Sequence, residues 1–86
     1  MEHILNEDFW RFCAKLPRDV QRRIPQKFGL LRQNPRHPSL HFKKVGDHWS
    51  IRICKGYRAV ARKENNTFVW FWAGKHDEYM RRIRQD

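Results

Sequence analysis

Apolar residues in the first third of the chain recur at helical spacing. Asn6 is placed to cap a helix that begins at Glu7, and the apolar pattern of that helix continues to Leu16. Pro17 suits the first turn of a second helix. The apolar stripe of this second helix is formed by Val20, Ile24, Phe28 and Leu31. The pattern therefore predicts two amphipathic helices that pack as a hairpin.

Pro25 interrupts the pattern of the second helix. A proline inside a helix deletes one backbone hydrogen bond and clashes with the carbonyl four residues earlier, at a cost of about 3 kcal/mol. We therefore expect a kink or a break at Pro25. Residues 34–38, with the sequence NPRHP, end the helix and turn the chain into its second half.

From His41 onward the apolar period changes to two, the period of a strand with one buried face. Trp49, Ile51 and Ile53 alternate with polar residues. Two more strands are predicted, over residues 57–63 and residues 67–73.

Short turns join these three strands. Gly56 lies between the first two strands and Asn65 between the second pair, and both residue types tolerate the positive φ of tight hairpin turns. Residues 41–45 are expected to extend the sheet, and residues 1–5 to add an edge strand.

The segment TFVWFWA, residues 67–73, is apolar on both faces and is therefore predicted to be the central strand. Gly74 is expected to end it, and residues 76–84 have helical composition. This order of elements predicts a single α+β domain over residues 1–86. An N-terminal helical hairpin would pack on a small antiparallel β-sheet that is followed by a short C-terminal helix.

Charge suggests a partner for this domain. Nineteen Lys and Arg oppose nine Asp and Glu, a formal net charge of +10 that favours nucleic acid, with a solvated surface as the alternative. No apolar run reaches the roughly 18 residues of a membrane span. Two cysteines without a preceding signal segment indicate the reducing cytoplasm. Neither CxxC nor a Cys/His cluster with zinc spacing occurs, so we expect no metal or cofactor.

Three segments together resemble a known family. NPRHPSLHFKKV, WSIRICKGYRAV and VWFWAGKHDEYMRRI follow the helical hairpin in this order, and the whole is similar to the RelE/ParE toxin superfamily. The resemblance implies a microbial-ribonuclease-like fold. Many members of the superfamily cleave messenger RNA on the ribosome and others poison DNA gyrase, and an antitoxin encoded nearby usually neutralises them.

The resemblance also implies roles for individual residues. Arg58 occupies the position of the family's sheet arginine, and Arg52 that of a basic residue in the preceding strand. His76 falls where the nucleases carry an arginine or histidine after the last strand, and Tyr79 lies near their terminal aromatic residue. Ser50 stands where one branch has an additional lysine, a departure that weakens the catalytic set.

RNA cleavage without a metal needs a base for the 2′-hydroxyl proton, an acid for the leaving oxygen, and cations for the phosphate. His76 would be the acid or base because imidazole titrates near neutral pH. Arg52 and Arg58 would clamp phosphate oxygens, while Tyr79 would stack on a base or orient the phosphate. His41 and His48 rank below His76 as acid or base.

Each of these assignments has a structural alternative. Arg58 would pair with Asp77 or Glu78 in a salt bridge, and His76 would cap the last helix. Tyr79 would be a packing residue with its hydroxyl at the surface.

Other cations are expected to bind the RNA backbone. Lys43 and Lys44 would neutralise flanking phosphates, or else be solvated charges at a strand edge. The second helix would bind ribosomal RNA or an acidic antitoxin through Arg22, Arg23 and Lys27, or else these residues form a solvated helix face.

The leading hypothesis is the toxin of a type II toxin-antitoxin system, a metal-independent endoribonuclease that cleaves mRNA on the ribosome and represses translation. Its partners would be RNA and a cognate antitoxin, with no membrane. The alternatives are a ParE-like DNA gyrase inhibitor and a homologue that has lost activity and only binds RNA or a partner. Fold alone does not decide among them.

Overall fold

The computed structural model describes residues 1–84, in which two helices follow the first strand and four consecutive strands precede the last helix. In chain order they are β1 (Glu2–Leu5), α1 (Glu7–Cys13), α2 (Arg18–Gln33), a 3₁₀ turn (Pro38–Leu40), β2 (Lys43–Val45), β3 (His48–Cys54), β4 (Tyr57–Glu64), β5 (Thr67–Lys75) and α3 (His76–Arg84). The predicted α+β class is confirmed. No helix in this part of the chain is long and apolar enough to cross a bilayer.

The five strands form one sheet in the order β1-β5-β4-β3-β2. Strands β2 to β5 pair antiparallel, with Gly56 (φ 87°) and Asn65 (φ 55°) in the two turns where positive φ was expected. The predicted edge strand is β1, but it pairs parallel to β5. The sheet is therefore mixed, and the expectation of an antiparallel sheet was wrong on this point. Apolar alternation is the same in both directions, so it carries no information about strand direction.

The segment predicted as the central strand is β5. It is interior, with β1 and β4 as its neighbours, while β4 occupies the middle of the five. Both faces of β5 are buried, as its continuous apolar sequence indicated.

One face of the sheet carries the main core beneath α1 and α2. The Phe28 ring contacts Phe9 of α1 at a centroid distance of 5.6 Å and Trp70 of β5 at 5.1 Å. All three side chains are fully buried. Asn6 caps α1 as predicted, because its Oδ1 accepts a 2.9 Å hydrogen bond from the Phe9 backbone N–H.

Helix α2 runs through Pro25 without a break, so of the expected kink or break the break does not occur. Pro25 lies on the exposed side of the helix, and its neighbours on the core side, Ile24 and Phe28, are fully buried. Each large apolar side chain that α2 buries stabilises the fold by about 1.5–3 kcal/mol. Together these contributions outweigh the cost of about 3 kcal/mol for one proline.

The second face of the sheet carries a smaller cluster, formed by Val60, Trp72 and Tyr79 with α3 across it. Gly74 does not end β5, which continues to Lys75; this prediction was also wrong. A β-carbon on Gly74 would lie 2.6 Å from Cζ2 of Trp72. The glycine is therefore needed for the close approach of an indole ring, which is the other common reason for a glycine in a strand.

Candidate functional site

Arg52 and Arg58 lie directly opposite each other on β3 and β4. Their chain neighbours Ile51, Ile53 and Ala59 are buried in the main core. Because side chains alternate along a strand, both arginines project from the second face of the sheet. The two arginine side chains therefore leave the same face of the sheet from paired positions of β3 and β4.

The arginine pair is partly desolvated. Burial lowers the pKa of the Arg58 guanidinium, and the charge of Arg52 lowers it further, against smaller opposing effects of Tyr79 and Cys54. One Arg58 nitrogen donates a 3.2 Å hydrogen bond to the Tyr57 carbonyl. Within residues 1–84 no carboxylate lies within 4.0 Å of either guanidinium, so the alternative of a salt bridge from Arg58 to the acids of α3 is not observed there.

His76 is the first residue of α3 and is half-buried. Its backbone N–H donates a 2.8 Å hydrogen bond to the carbonyl of Gly56, in the turn between β3 and β4. Gly74 pairs with Arg58 in the same ladder, so His76 follows two residues after the position opposite Arg58. An open cavity of about 270 Å³ lies beside His76 and is lined also by Gly56 and Asp77.

Tyr79 lies one turn after His76, with the two ring centroids 5.9 Å apart. Its side chain is buried at 4% exposure, and its hydroxyl lies 3.1 Å from the hydroxyl of Ser50 on β3. The expected stacking on a base therefore has no exposed ring face to use. The alternative of a packing residue fits, but with a buried hydroxyl and not the surface hydroxyl that was expected.

The basic residues of α2 divide into two groups. Arg23 and Lys27 line a cleft with Arg52 of the arginine pair, whereas Arg22 is exposed and does not line it. Residues four apart lie on one stripe of a helix, and consecutive residues do not. Arg22 and Arg23 were assigned to one group from the sequence, but in the structure only Arg23 of these two lines the cleft.

The remaining candidates are spread over the β2 side of the sheet. Lys43 and Lys44 are exposed on β2, the edge strand. His41 is exposed in a left-handed conformation (φ 48°) just before β2. His48 is half-buried on β3, with its ring 5.6 Å from that of Phe71.

Ser50 has a structural role that sequence reasoning missed. It was considered only as a missing lysine, yet it is a buried polar residue at 2% exposure with Tyr79 as its partner. Its place between His48 and Arg52 assigned it to the second face, but nothing in the sequence linked it to a residue 29 positions away. Among residues 1–84 no group of three or more His, Cys, Asp or Glu side chains is arranged to hold a metal ion.

Comparison with solved structures places this architecture among known folds. The toxin-antitoxin complex RelB-RelE from Methanococcus jannaschii matches with a TM-score of 0.71 at 13% identity, over 92% of this chain and 96% of that one. The isolated E. coli RelE toxin matches with a TM-score of 0.60 at 18% identity, over 98% and 96%. The YoeB/ParE toxin from Agrobacterium tumefaciens matches with a TM-score of 0.62 at 15% identity, over 88% and 99%.

At these identities the comparison concerns the fold. The chain has the RelE/ParE toxin fold, as the sequence motifs predicted. No protein-family model matches the sequence, and no curated protein matches it significantly.

Proposed function

We propose that this chain is the toxin of a type II toxin-antitoxin pair and acts as a metal-independent endoribonuclease on messenger RNA at the ribosome. The observation that carries the proposal is the arginine pair on the second face of the sheet, with His76 at the end of the neighbouring strand. A half-buried Arg58 beside Arg52, with no carboxylate partner for either within residues 1–84, is stabilised by an anion with several oxygens, such as a phosphodiester.

The proposed reaction uses the 2′-hydroxyl of the RNA as the nucleophile. The 2′-oxygen bonds to phosphorus as the bond from phosphorus to the 5′-oxygen breaks. His76 either removes the 2′-hydroxyl proton while water protonates the leaving 5′-oxygen, or protonates that oxygen while water takes the 2′ proton. Arg52 and Arg58 bind the non-bridging phosphate oxygens as charge develops there. Tyr79 acts in this scheme by holding α3 on the sheet through Ser50, so that it positions His76 and does not touch the substrate.

The net charge of +10 supports a nucleic-acid target, and a cognate antitoxin is the expected protein partner. The similar structure from M. jannaschii contains RelE bound to its antitoxin RelB. In the same fold, a gyrase inhibitor would act through its surface and would not need His76.

One experiment separates these targets. After brief induction of the protein in cells, primer extension on cellular RNA is compared with trapping of DNA gyrase cleavage complexes in the same extract. The proposal predicts new mRNA ends within translated regions, which disappear with a folded His76→Gln variant. Trapped gyrase without new RNA ends would replace the nuclease proposal with the gyrase alternative.

A further inference from the structure

A cleft of about 530 Å³ lies between α2 and the edge of β3. Strand β2 pairs with β3 only from His48 to Ser50, so it leaves the edge of the later part of β3 uncovered. Asp19, Arg23 and Lys27 are four residues apart on α2 and form one wall of the cleft. Arg52 and Lys55 form the opposite wall.

The cleft concentrates positive charge. Arg23, Lys27, Arg52 and Lys55 oppose one carboxylate, that of Asp19. In the described part of the chain none of these four cations forms an ion pair within 4.0 Å. Like charges around one cavity repel each other, and an anion bound among them removes that repulsion.

Lys27 is held in place for such an anion. Its ammonium group donates a 3.3 Å hydrogen bond to the hydroxyl of Ser39, which lies 2.9 Å from Nδ1 of His37. An ammonium group has three donors, so two remain for a ligand. The 3₁₀ turn Pro38–Leu40 thus orients a cation of α2 towards the cleft.

We propose that this cleft binds the backbone phosphate of the nucleotide next to the one held by Arg52 and Arg58. Arg52 belongs to both the arginine pair and the cleft, because it lies opposite Arg58 on the neighbouring strand and also lines the cleft. A single strand can therefore run from the second face of the sheet around the β3 edge to α2. The identity of the strand as RNA rests on the proposed function, whereas the anion site does not require cleavage.

The residues that line the cleft indicate which part of a nucleic acid it binds. No aromatic side chain lines it within residues 1–84, so it lacks the stacking platforms that bind bases. Its volume is in the range of about 300–1,000 Å³ typical of small-molecule sites, large enough for a nucleotide. Arginine forks and lysine ammonium groups bind phosphate oxygens independently of base identity, so the cleft contributes affinity and register but not sequence specificity.

The test measures binding of a fluorescent 2′-O-methyl RNA 12-mer, which cannot be cleaved, by anisotropy over a series of salt concentrations. The variant combines Arg23→Gln and Lys55→Gln, both exposed positions. Each phosphate contact on a single strand contributes about 0.7 to the slope of log affinity against log salt, so the variant, which weakens the one phosphate contact of the cleft, should lower the slope by about 0.7.

The matched control combines Arg11→Gln and Arg62→Gln. It removes the same two charges, but Arg11 lies within 3.6 Å of Glu7 and of Asp8, and Arg62 lies 2.9 Å from Glu64. Because those charges are already paired, the slope should stay close to that of the wild type. Lys55→Gln alone, in an exposed turn, should lower the slope by part of the amount expected for the cleft variant and keeps the test valid if the double variant does not fold.

Equal slopes for the cleft variant and the wild type would overturn the proposal. The proposal would also be overturned if the cleft variant no longer bound a polyglutamate peptide but kept the wild-type RNA slope, because the cleft would then bind an acidic protein. If the protein cuts no cellular RNA but the cleft variant lowers the slope, the anion site is supported and the nuclease function is contradicted. If the protein cuts RNA but the cleft variant leaves the slope unchanged, the nuclease function is supported and the anion site is contradicted.

Discussion

The hydroxyl of Tyr79 on α3 lies 3.1 Å from the hydroxyl of Ser50 on β3, and both side chains are buried. This contact joins the last helix to the strand that carries Arg52. His76 lies on the same helix, one turn before Tyr79. The orientation of the proposed acid or base therefore depends on a hydrogen bond away from the substrate.

Removing both partners of this pair should destabilise the protein by less than the sum of the two single removals. Tyr79→Phe and Ser50→Ala each leave one buried hydroxyl without its partner, at a cost of about 1–3 kcal/mol. The double variant leaves neither, so its loss should be smaller than the sum of the two single losses. Urea unfolding of the four proteins measures the coupling. Strict additivity would show that the contact contributes nothing.

His76→Gln should reduce the rate of RNA cleavage by about 10² to 10⁴, because it removes proton transfer and keeps a side chain of similar size and hydrogen-bonding capacity. RNA affinity and melting temperature should change little. The measurement is single-turnover cleavage, with circular dichroism melts as the control for folding. Growth arrest by the folded variant at wild-type potency, with RNA uncut, would contradict the nuclease proposal.

Arg58→Lys should slow cleavage and leave its pH profile unchanged. Lysine keeps the charge but loses the two-pronged contact with phosphate. One charge-assisted hydrogen bond contributes about 1.5–3 kcal/mol, equivalent to about 10- to 100-fold in rate. Cleavage rates from pH 5 to pH 9 provide the check. A shifted profile would mean that Arg58 acts by tuning the titrating group and not by binding phosphate.

Stability should fall as the pH drops below about 6.5 because of His3. Nδ1 of His3 accepts a 3.0 Å hydrogen bond from the Trp70 indole N–H, and burial followed by the charge of Arg32 lowers the pKa of His3 from 6.5. The unfolded chain thus binds a proton at a higher pH than the folded one. The stabilisation is complete above 6.5 and is lost as the pH falls from there towards the lower folded pKa.

Urea unfolding of the wild type and of His3→Gln from pH 8 to pH 5 isolates this effect. The difference in unfolding free energy between the two proteins should shrink as the pH falls. A difference that stays constant would show that His3 does not titrate between these limits.

Two glycines should respond oppositely to replacement by alanine. At Gly74 the new β-carbon would lie 2.6 Å from the Trp72 ring, so overpacking should cost about 1–3 kcal/mol. At Gly29, inside α2, nothing lies within 4 Å of the new atom, and alanine should stabilise the helix by about 0.5–1 kcal/mol. Thermal melts of the two variants test the pair. A stabilised Gly74→Ala would mean that the indole ring moves freely.

Local patterns in the sequence were sufficient to predict most elements. The change of apolar period near His41, and the turn residues Gly56 and Asn65, locate the hairpins because they depend on neighbouring residues only. Pro25 and Gly74 were misjudged because tertiary packing outweighs local preference at both positions.

The candidate site shows the same division. The family resemblance named Arg52 and Arg58 as site residues, and the register of β3 with β4 places them opposite each other. The Tyr79–Ser50 contact and the cleft beside Arg23 depend on how α3 and α2 cross the sheet. No pattern within a single segment contains that information, so sequence reasoning missed the first and grouped Arg23 with Arg22.

The parallel pairing of β1 with β5 affects how the protein folds during its synthesis. The first strand of the chain pairs with the last, and the His3–Trp70 hydrogen bond joins residues 67 positions apart. Contacts this distant in sequence form late, after the loop between them has been closed. On a translating ribosome, which adds about 5–20 residues per second, β1 stays without its partner until β5 has been synthesised. The edge of the sheet is therefore completed only after β5 has emerged from the ribosome, and until then β1 is a strand without its partner.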